Sequence, residues 1–300
     1  MTQGGLTQGA DGPAAPAAAG QRLVDGEFVF RAEDFRRIAA ILHDSAGIAL
    51  SESKATLVYS RLAKRLRSLG LESFRDYCAL VADAQGADER QRMIAALTTN
   101  VTRFFREPHH FDHLRTQVLP PLLQAARAGA PVRIWSAGCS SGEEPYSIAL
   151  SILSLAPEAA DWDVRILGTD IDTDVLARGR AGTYGASSML QIPGELRSRW
   201  FAKDGESWTV TAPLRRLVVF NELNLMGEWP MKRRFDAIFC RNVVIYFEEA
   251  TQARVFSRFL PLMNPAARLY IGHSERIGGP AAASLESDGV TIYRLKDAPR

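Results

Sequence analysis

The sequence predicts a small all-α domain followed by a doubly wound α/β domain that carries a small β insertion. Three observations predict it. Apolar residues recur at helical spacing through residues 34–97. From residue 132 onward, short apolar runs alternate with helical patterns, which is typical of a parallel sheet covered by helices on both faces. A break in this alternation at about residues 183–221 indicates the insertion.

Composition sets broad limits on the class of protein. The 300 residues are 46% apolar and 23% charged, as in an ordinary globular protein, and the net charge of +2 gives no overall attraction to nucleic acid or membrane. Cys78, Cys139 and Cys240 lie far apart without a C-x-x-C pair, which favours reduced thiols in a cytoplasmic protein. The chain shows no signal peptide and no apolar run of about 18 residues, so we expect neither secretion nor a membrane span.

The N-terminal third divides into a tail and a helical domain. Ala, Gly, Pro and Gln dominate residues 1–24, which we predict to be a disordered tail. Residues 25–100 are predicted to be all-helical. Four helical patterns follow one another there, at about residues 34–47, 58–70, 73–81 and 89–97.

The second of these helices is locally basic. No acid lies between Glu52 and Glu72, and the cations of this segment are Lys54, Arg61, Lys64, Arg65 and Arg67. Such a face is either an ordinary solvated surface or a docking site for an acidic partner. Nucleic acid is a weaker alternative, because aromatic residues are not interleaved with the charges.

The segment TTNVTRFFR joins the two predicted domains. Its aromatic pair, Phe104 and Phe105, would be poorly solvated in an open linker, so we expect the pair to pack on the second domain. The segment is then either a plain plug between domains or a means of presenting Asn100, Thr102 and Arg106 to a cleft.

A further helix is predicted to begin at Pro108 and to run to about Val118. His109 and His113 lie one turn apart on it and could bind a metal by spacing alone. Neither an H-E-x-x-H pattern nor a third ligand accompanies them, so we expect packing or surface histidines and no metal.

The most informative stretch is RIWSAGCSSGEEPYS, residues 133–147, which reads as strand, tight turn and helix. Gly138 and Gly142 carry no Cβ, so the backbone of this turn can approach a ligand at the carboxyl edge of a sheet. Glu143 and Glu144 at the helix start would repel a pyrophosphate, which argues against a dinucleotide. A ligand without phosphate, such as S-adenosylmethionine, fits better. A βα turn without a ligand is the alternative.

Polar residues follow the other predicted strands. Asp170 ends the strand VRILGTD, at the position where a nucleoside ribose is held in such folds. For Asp172 and Asp174, which open the next helix, a capping role is preferred.

Two later strands also end in polar residues. Asn224 follows a third strand, and Arg241 and Asn242 follow the strand FDAIFC, with Tyr246 close behind. Because the carboxyl ends of parallel strands share one edge, we expect these side chains to lie beside the turn at 138–142.

The remaining elements are read from short patterns. Within the insertion, residues 208–211 and 216–220 read as strands and AKDGES as a tight polar turn. A helix at 248–262, a strand at 268–272 and an antiparallel edge strand at 290–295 complete the second domain.

The motifs resemble those of a known family, the chemotaxis receptor methyltransferases of the CheR type. They are a basic helix followed by TTNVTRFFREPHHF, SAGCSSGEEPYSIA, GTDID, LNL, FDAIFCRNVVIYF and GHSE, and they span residues 30–295. The resemblance implies a Rossmann-like domain that uses S-adenosylmethionine, without a metal, to methylate glutamates on the cytoplasmic helices of chemoreceptors, leaving S-adenosylhomocysteine. It also implies a cytoplasmic protein that neither inserts into the membrane nor binds nucleic acid, and we take a monomer as the working expectation.

The resemblance assigns site residues by motif. Nine residues are expected to contact the cofactor: Asn100, Thr102, Arg106, Glu144, Asp170, Asn224, Leu225, Arg241 and Asn242. Arg106 and Tyr246 are also the candidate catalytic residues, the first to steer carboxylate groups and the second to hold the acceptor. Arg61 and Arg67 on the basic helix are expected to bind the substrate.

One departure bears on recruitment. Family members that tether to a C-terminal pentapeptide of the receptor carry a longer, Gly-rich loop where this chain has AKDGES, so we expect no need for that tether.

Two other functions stay open. A methyltransferase for RNA would grip its substrate with the basic helical domain and bind with a steep salt dependence. A non-catalytic S-adenosylmethionine sensor or scaffold would bind the cofactor without turnover.

Overall fold

A computed structural model describes residues 20–98 and 100–296. Residues 20–98 form a small helical domain, and each predicted helix is present in it. The helices are α1 Ala32–Ala46, α2 Ala55–Leu69, α3 Phe74–Ala82 and α4 Ala87–Leu97, with 3₁₀ turns at Glu52–Lys54 and Ala84–Gly86. As predicted, α1 and α2 end at glycines, because Gly47 and Gly70 adopt the left-handed conformation with φ of 72° and 66°.

The helical domain also contains a short strand pair that the sequence did not predict. β1 Arg22–Val24 pairs antiparallel with β2 Phe30–Arg31, and Phe30 packs on Phe74 with ring centroids 4.4 Å apart. The predicted disordered tail at residues 1–24 is therefore wrong at its end, while residues 1–19 lie outside the described residues. Two or three paired residues are too few to give a readable alternation.

The helix that begins at Pro108 is longer than predicted. α5 Pro108–His113 continues through a π turn at Leu114–Val118 into α6 Leu119–Arg127, so the predicted end at about Val118 is wrong. Pro120 and Pro121 do not end this helix, because they lie in the first turn of α6, where the amide hydrogens that proline lacks are not needed.

The second domain is built on a mostly parallel sheet. The remaining strands are β3 Val132–Ala137, β4 Val164–Asp170, β5 Thr183–Gly185, β6 Phe201–Asp204, β7 Ser207–Val210, β8 Val218–Glu222, β9 Phe235–Cys240, β10 Met263–Ile271, β11 Leu285–Gly289 and β12 Ile292–Leu295. In the main sheet the order is β11-β12-β10-β9-β3-β4-β8. The pairs from β10 to β8 are parallel, and β12 is antiparallel to both β10 and β11, as predicted for the strand at 290–295. The predicted edge position of that strand is wrong, because β11 pairs with its other side and forms the edge of the sheet.

Helices cover both faces of this sheet. They are α7 Glu143–Leu155, α8 Thr173–Ala181, α12 Glu249–Phe259 and α13 Pro280–Ser284, with α9 Ala186–Met189, α10 Gly194–Trp200 and α11 Ala212–Arg216 in the insertion and 3₁₀ turns at Pro157–Asp161, Val244–Tyr246 and Leu260–Leu262. Among the helices of the described residues, none is both long and apolar enough to cross a membrane.

The central strands separate two apolar cores. Trp135 and Ile238 face the core that the helical domain and α12 complete, whereas Ile134 and Phe239 face the core that α6 and α7 complete. Because successive side chains of a strand point to opposite faces, helices pack on both sides of the sheet. The predicted fold class, a doubly wound α/β domain with a small β insertion after a helical domain, is confirmed.

The insertion is shorter than predicted. Its three strands form a separate sheet in the order β5-β7-β6, and the turn at Gly205 joins β6 to β7, within the predicted AKDGES turn. The strand predicted at 216–220 is β8, which pairs parallel with β4 in the main sheet, so the predicted end of the insertion at about residue 221 is wrong. A short apolar strand has the same local pattern in either sheet, and only its pairing distinguishes them.

Candidate cofactor and active site

The turn between β3 and α7 contains three residues with positive φ: Gly138 at 72°, Ser140 at 50° and Gly142 at 95°. A Cβ at Gly138 would lie 2.2 Å from Val243 Cγ2, and one at Gly142 would lie 2.9 Å from Phe220 Cζ. Packing and backbone conformation therefore both require glycine at these positions. The glycines were predicted to let this backbone come close to a ligand, but they also let it come close to the side chains of Val243 and Phe220.

A cavity of about 210 Å³ opens beside this turn, between the two domains. The nine residues predicted to contact the cofactor all line it: Asn100, Thr102, Arg106, Glu144, Asp170, Asn224, Leu225, Arg241 and Asn242. Tyr246 lines it as well, whereas Arg61 and Arg67 are not among the described residues of its wall. The helical domain contributes a mostly apolar wall and one cation, through Ala46, Ile48, Leu50, Lys54, Leu57 and Leu97.

Asp170 lies at the end of β4 and is 8% exposed. Its carboxylate accepts hydrogen bonds from the backbone N–H groups of Ser140 at 2.8 Å and of Asp172 at 3.0 Å. Burial raises the pKa of Asp170 above its usual value, although these hydrogen bonds favour the ionised form. A carboxylate has about four acceptor sites, so two remain for hydroxyl groups of a ligand in the cavity.

Arg241 follows β9 and is 5% exposed. Its guanidinium lies 3.5 Å from Glu144 and 3.6 Å from Glu107, and it donates a hydrogen bond to the backbone carbonyl of Arg106. Within the described residues, Nε and Nη1 of Arg241 have no hydrogen-bond partner. Buried donors are nearly always paired, so these atoms indicate an acceptor within the cavity, such as the carboxylate of an amino-acid group.

Glu144 provides the opposite charge at the same end of the cavity. One of its oxygens accepts a hydrogen bond from Ser136 Oγ at 2.7 Å. Burial raises the pKa of Glu144, while Arg241 favours its ionised form. A carboxylate beside a guanidinium suits a ligand that carries both an ammonium and a carboxylate group. Glu143 instead accepts from Ser141 Oγ at 2.8 Å at the start of α7.

The linker residues Asn100 and Thr102 reach the cavity, in keeping with the second alternative for this segment. Asn100 donates to the Asp172 carboxylate at 2.7 Å. Asp172 also accepts from the backbone N–H groups of Asp174 and Val175, which confirms its predicted capping role at α8.

Arg106 is held between two residues in strained backbone conformations. Phe105 and Glu107 have φ of 51° and 57°, and such left-handed conformations cost roughly 1–3 kcal/mol each in non-glycine residues. The predicted packing of the aromatic pair is confirmed, because Phe104 is 1% exposed and Phe105 packs edge-on against Phe111. This packing fixes the backbone on the N-terminal side of Arg106.

Asn224 and Tyr246 join the helical domain to the sheet edge. Asn224 donates to the Ser45 carbonyl at 2.6 Å, and the Tyr246 carbonyl accepts from the backbone N–H of Ala49 at 2.9 Å. Leu225, beside Asn224, is buried in the core that both domains share. The position of Tyr246 in the cavity wall therefore depends on how the helical domain packs.

Glu275 fixes the loop that carries Asn242 and Tyr246. Its buried carboxylate accepts from the backbone N–H groups of Val243 at 2.9 Å, Val244 at 3.0 Å and Gly272 at 2.5 Å. Burial raises the pKa of Glu275, and the three hydrogen bonds oppose that shift. Asn242, with φ of 59°, is one residue before this anchored segment.

The cations of α2 are largely engaged within the helical domain. Arg61 donates to the carbonyls of Ala96 at 3.1 Å and Thr98 at 2.7 Å, and so holds the end of α4. Arg67 forms a half-exposed ion pair with Glu27 at 2.9 Å. A substrate-binding role for Arg61 and Arg67 stays a prediction.

The histidines after Pro108 have separate partners. His113 bonds to the Tyr270 hydroxyl at 3.0 Å, and the ring of His109 bonds to the Val290 carbonyl at 3.2 Å. His110, with Glu107 and His109, forms a group whose ligand atoms lie within 4.8 Å of one another. Arg241 and His273 already pair with that same Glu107 carboxylate, and the Arg241 charge would oppose a cation there.

Sequence reasoning missed two kinds of residue at this site. The apolar residues of the wall gave no signal, because the core of the helical domain already explains their helical spacing. Lys54 was predicted only as one cation of the basic segment and not as part of the cavity wall. Glu107 and Glu275 lie inside the quoted motifs TTNVTRFFREPHHF and GHSE, so the motifs contained a signal for both. Burial would raise the pKa of Glu107, but Arg241 and His273 hold it below its usual value.

Family comparisons match both domains. The description "CheR methyltransferase, all-alpha domain" matches residues 33–98, and "CheR methyltransferase, SAM binding domain" matches residues 100–289. The second match places the cavity-lining residues from Asn100 to Tyr246 inside an S-adenosylmethionine-binding domain.

Similar proteins match over most of their length. The chain is 53% identical to a "Probable chemotaxis protein methyltransferase" of Rhizobium etli over 85% of this chain and 96% of that protein. It is 42% identical to "Chemotaxis protein methyltransferase 2" of Pseudomonas aeruginosa, over 89% and 94%. It is 41% identical to the "Chemotaxis protein methyltransferase" of Escherichia coli, over 87% and 90%. The chain therefore belongs to the CheR family of S-adenosylmethionine-dependent methyltransferases.

Proposed function

We propose that this protein transfers a methyl group from S-adenosylmethionine to glutamate side chains on the cytoplasmic helices of chemoreceptors. The names of its relatives, chemotaxis protein methyltransferases, support this substrate class. The observation that carries the proposal is that the wall of a single cavity contains both Asp170 and the Arg241–Glu144 ion pair. These groups match the ribose and the amino-acid end of the donor.

The residues of the cavity would divide the binding between them. Asp170 would accept from the ribose hydroxyls, and Arg241, whose Nε and Nη1 have no hydrogen-bond partner among the described residues, would hold the amino-acid carboxylate. Glu144 would pair with the ammonium group. S-adenosylmethionine supplies an electrophilic methyl group on a sulfonium, which the protein must keep open to the acceptor.

The acceptor needs little activation. A glutamate side chain with a pKa of about 4.3 is ionised at neutral pH, so no strong general base is required. Placement is the main task, and holding the carboxylate oxygen in line with the methyl group can contribute roughly 7–11 kcal/mol. The product ester loses one negative charge, which would change repulsion within a receptor helix bundle.

Arg106 and Tyr246 are the residues proposed to act on the acceptor. Both line the cavity, and Arg106 is held by its strained neighbours and by its own bond to the Val101 carbonyl at 3.0 Å. Arg106→Ala and Tyr246→Phe are expected to lower turnover at saturating S-adenosylmethionine, because each removes a group that places the carboxylate. Unchanged turnover in both variants would contradict the catalytic assignment and leave Arg106 and Tyr246 with binding roles only.

We further propose that recruitment does not require a receptor pentapeptide. The hairpin of β6 and β7 pairs Asp204 with Ser207 across a turn at Gly205, with no room for an extended loop. Binding of a receptor C-terminal pentapeptide should therefore be weak in calorimetry. A low-micromolar affinity would contradict this part of the proposal.

The reaction can be tested directly with receptor-enriched membranes and radiolabelled S-adenosylmethionine. Base-labile methyl label should appear on the receptor with the native chain and fall sharply with Asp170→Asn. Asp174→Asn serves as the matched control, because Asp174 is exposed on the same segment and does not line the cavity. Label that appears on RNA, or cofactor binding without any transfer, would favour one of the two alternative functions.

A further inference from the structure

Tyr184 connects the β insertion to the cofactor turn. It lies in β5 and is 7% exposed, and its hydroxyl donates a hydrogen bond to the Ser141 carbonyl at 2.8 Å. Ser141 stands between Ser140 and Gly142, whose positive φ values define the turn. The insertion therefore supports the most strained part of the turn from outside the cavity.

The supported turn also positions Asp170. The N–H of Ser140, one residue before the carbonyl that Tyr184 holds, donates to the Asp170 carboxylate at 2.8 Å. Ser140 Oγ donates in addition to the Asn100 carbonyl at 3.2 Å, so the turn and the linker are in contact. A change in the conformation of the turn would move the acceptor that we assign to the ribose.

The same tyrosine packs on the linker. Its ring meets Phe104 edge-on, with centroids 5.0 Å apart, and Phe201 of β6 meets Phe104 in the same way at 5.9 Å. Phe104 lies two residues before Arg106 and is buried. Two strands of the insertion thus hold the segment that presents Arg106.

We propose that Tyr184 is a positioning residue for cofactor binding, and that the insertion serves to brace both the cofactor turn and the linker. This inference rests on the proposed cofactor site. It gives the insertion a role that does not depend on binding a receptor peptide. Tyr184 itself is absent from the residues that line the cavity in the described part of the chain, so it acts through Ser141 and Phe104.

Tyr184→Phe tests the brace, because it removes one hydroxyl and keeps the ring. Tyr146→Phe is the matched control: Tyr146 is buried, its ring lies 6.2 Å from that of Tyr184, and its hydroxyl donates to the Gly179 carbonyl at 3.0 Å, away from the turn. Both variants lose one buried hydrogen bond. Only Tyr184→Phe frees the turn.

Calorimetry with S-adenosylhomocysteine should show about fivefold weaker binding for Tyr184→Phe, because the turn spends less time in the binding conformation. Turnover at saturating S-adenosylmethionine should stay within about twofold of the native value, and Tyr146→Phe should bind as the native chain does. Hydrogen exchange should accelerate at residues 139–143 in Tyr184→Phe alone.

Equal affinity in the two variants, or unchanged exchange at the turn, would overturn the brace. This outcome is distinct from failure of the cofactor site. A native chain that does not bind S-adenosylhomocysteine would contradict the proposed function as a whole, whereas tight binding by both the native chain and Tyr184→Phe would contradict the brace alone.

Discussion

Replacing Asp170 with asparagine should weaken cofactor binding far more than its small change in size implies. The native carboxylate accepts from two backbone N–H groups and lines the cavity. Asparagine offers one acceptor oxygen, so its NH₂ group would face a donor of the protein or a hydroxyl of the ribose. The two hydrogen bonds that the ribose hydroxyls would donate to this carboxylate are worth about 1.5 kcal/mol each. Their loss would weaken binding by about 3 kcal/mol, or on the order of a hundredfold in Kd.

The assay is a calorimetric titration of S-adenosylhomocysteine into the native chain, Asp170→Asn and Asp174→Asn. Asp174 lies in the first turn of α8 and is exposed, so its variant should keep the native affinity. Thermal unfolding of each variant would show whether the fold is retained. The reasoning is refuted if Asp170→Asn binds within about threefold of the native chain.

Three further predictions concern stability. Burial lowers the pKa of His110 to about 2 in the folded protein. As the pH falls, this histidine is therefore protonated in the unfolded chain before it is protonated in the folded one. The free energy of unfolding should fall by about 1.4 kcal/mol per pH unit below about pH 6.5 on account of this residue, a slope that urea titrations should find missing in His110→Gln. Arg61→Ala should cost about 1–3 kcal/mol in urea unfolding, because it leaves two half-buried carbonyls at the end of α4 unpaired. Arg67→Ala should cost no more than about 1 kcal/mol, and equal costs would contradict these contacts. Gly138→Ala should lower the melting temperature more than Gly205→Ala, since both have positive φ but only the first would clash; equal shifts would contradict the packing.

The residues at the carboxyl edge of the sheet could be predicted, because the end of each strand can be recognised from its own short stretch of sequence. Polar residues end or closely follow the strands β4, β8 and β9, and parallel strands bring their carboxyl ends to the same edge whatever their order. Asp170, Arg241 and Asn242 needed only that rule to be placed beside the turn at 138–142. Their shared cavity follows from the topology.

The helical domain's share of the site could not be predicted in this way. Ile48 meets Phe247 in an isolated bridge, and Leu57 lines the cavity from α2. These contacts join residues about two hundred positions apart and depend on how the two domains pack. The π turn before α6 and the pairing of β8 were missed for a similar reason, because local patterns do not encode which neighbour a segment meets.

The most direct measurement is identification of the methylated residue after incubation of the protein with S-adenosylmethionine and receptor-enriched membranes. Peptide mass spectrometry should find the new methyl group on receptor glutamates, and mild alkali should remove it, as expected of a carboxyl ester. A methyl group that survives alkali, or that is found on lysine, arginine or RNA, would contradict the proposed reaction.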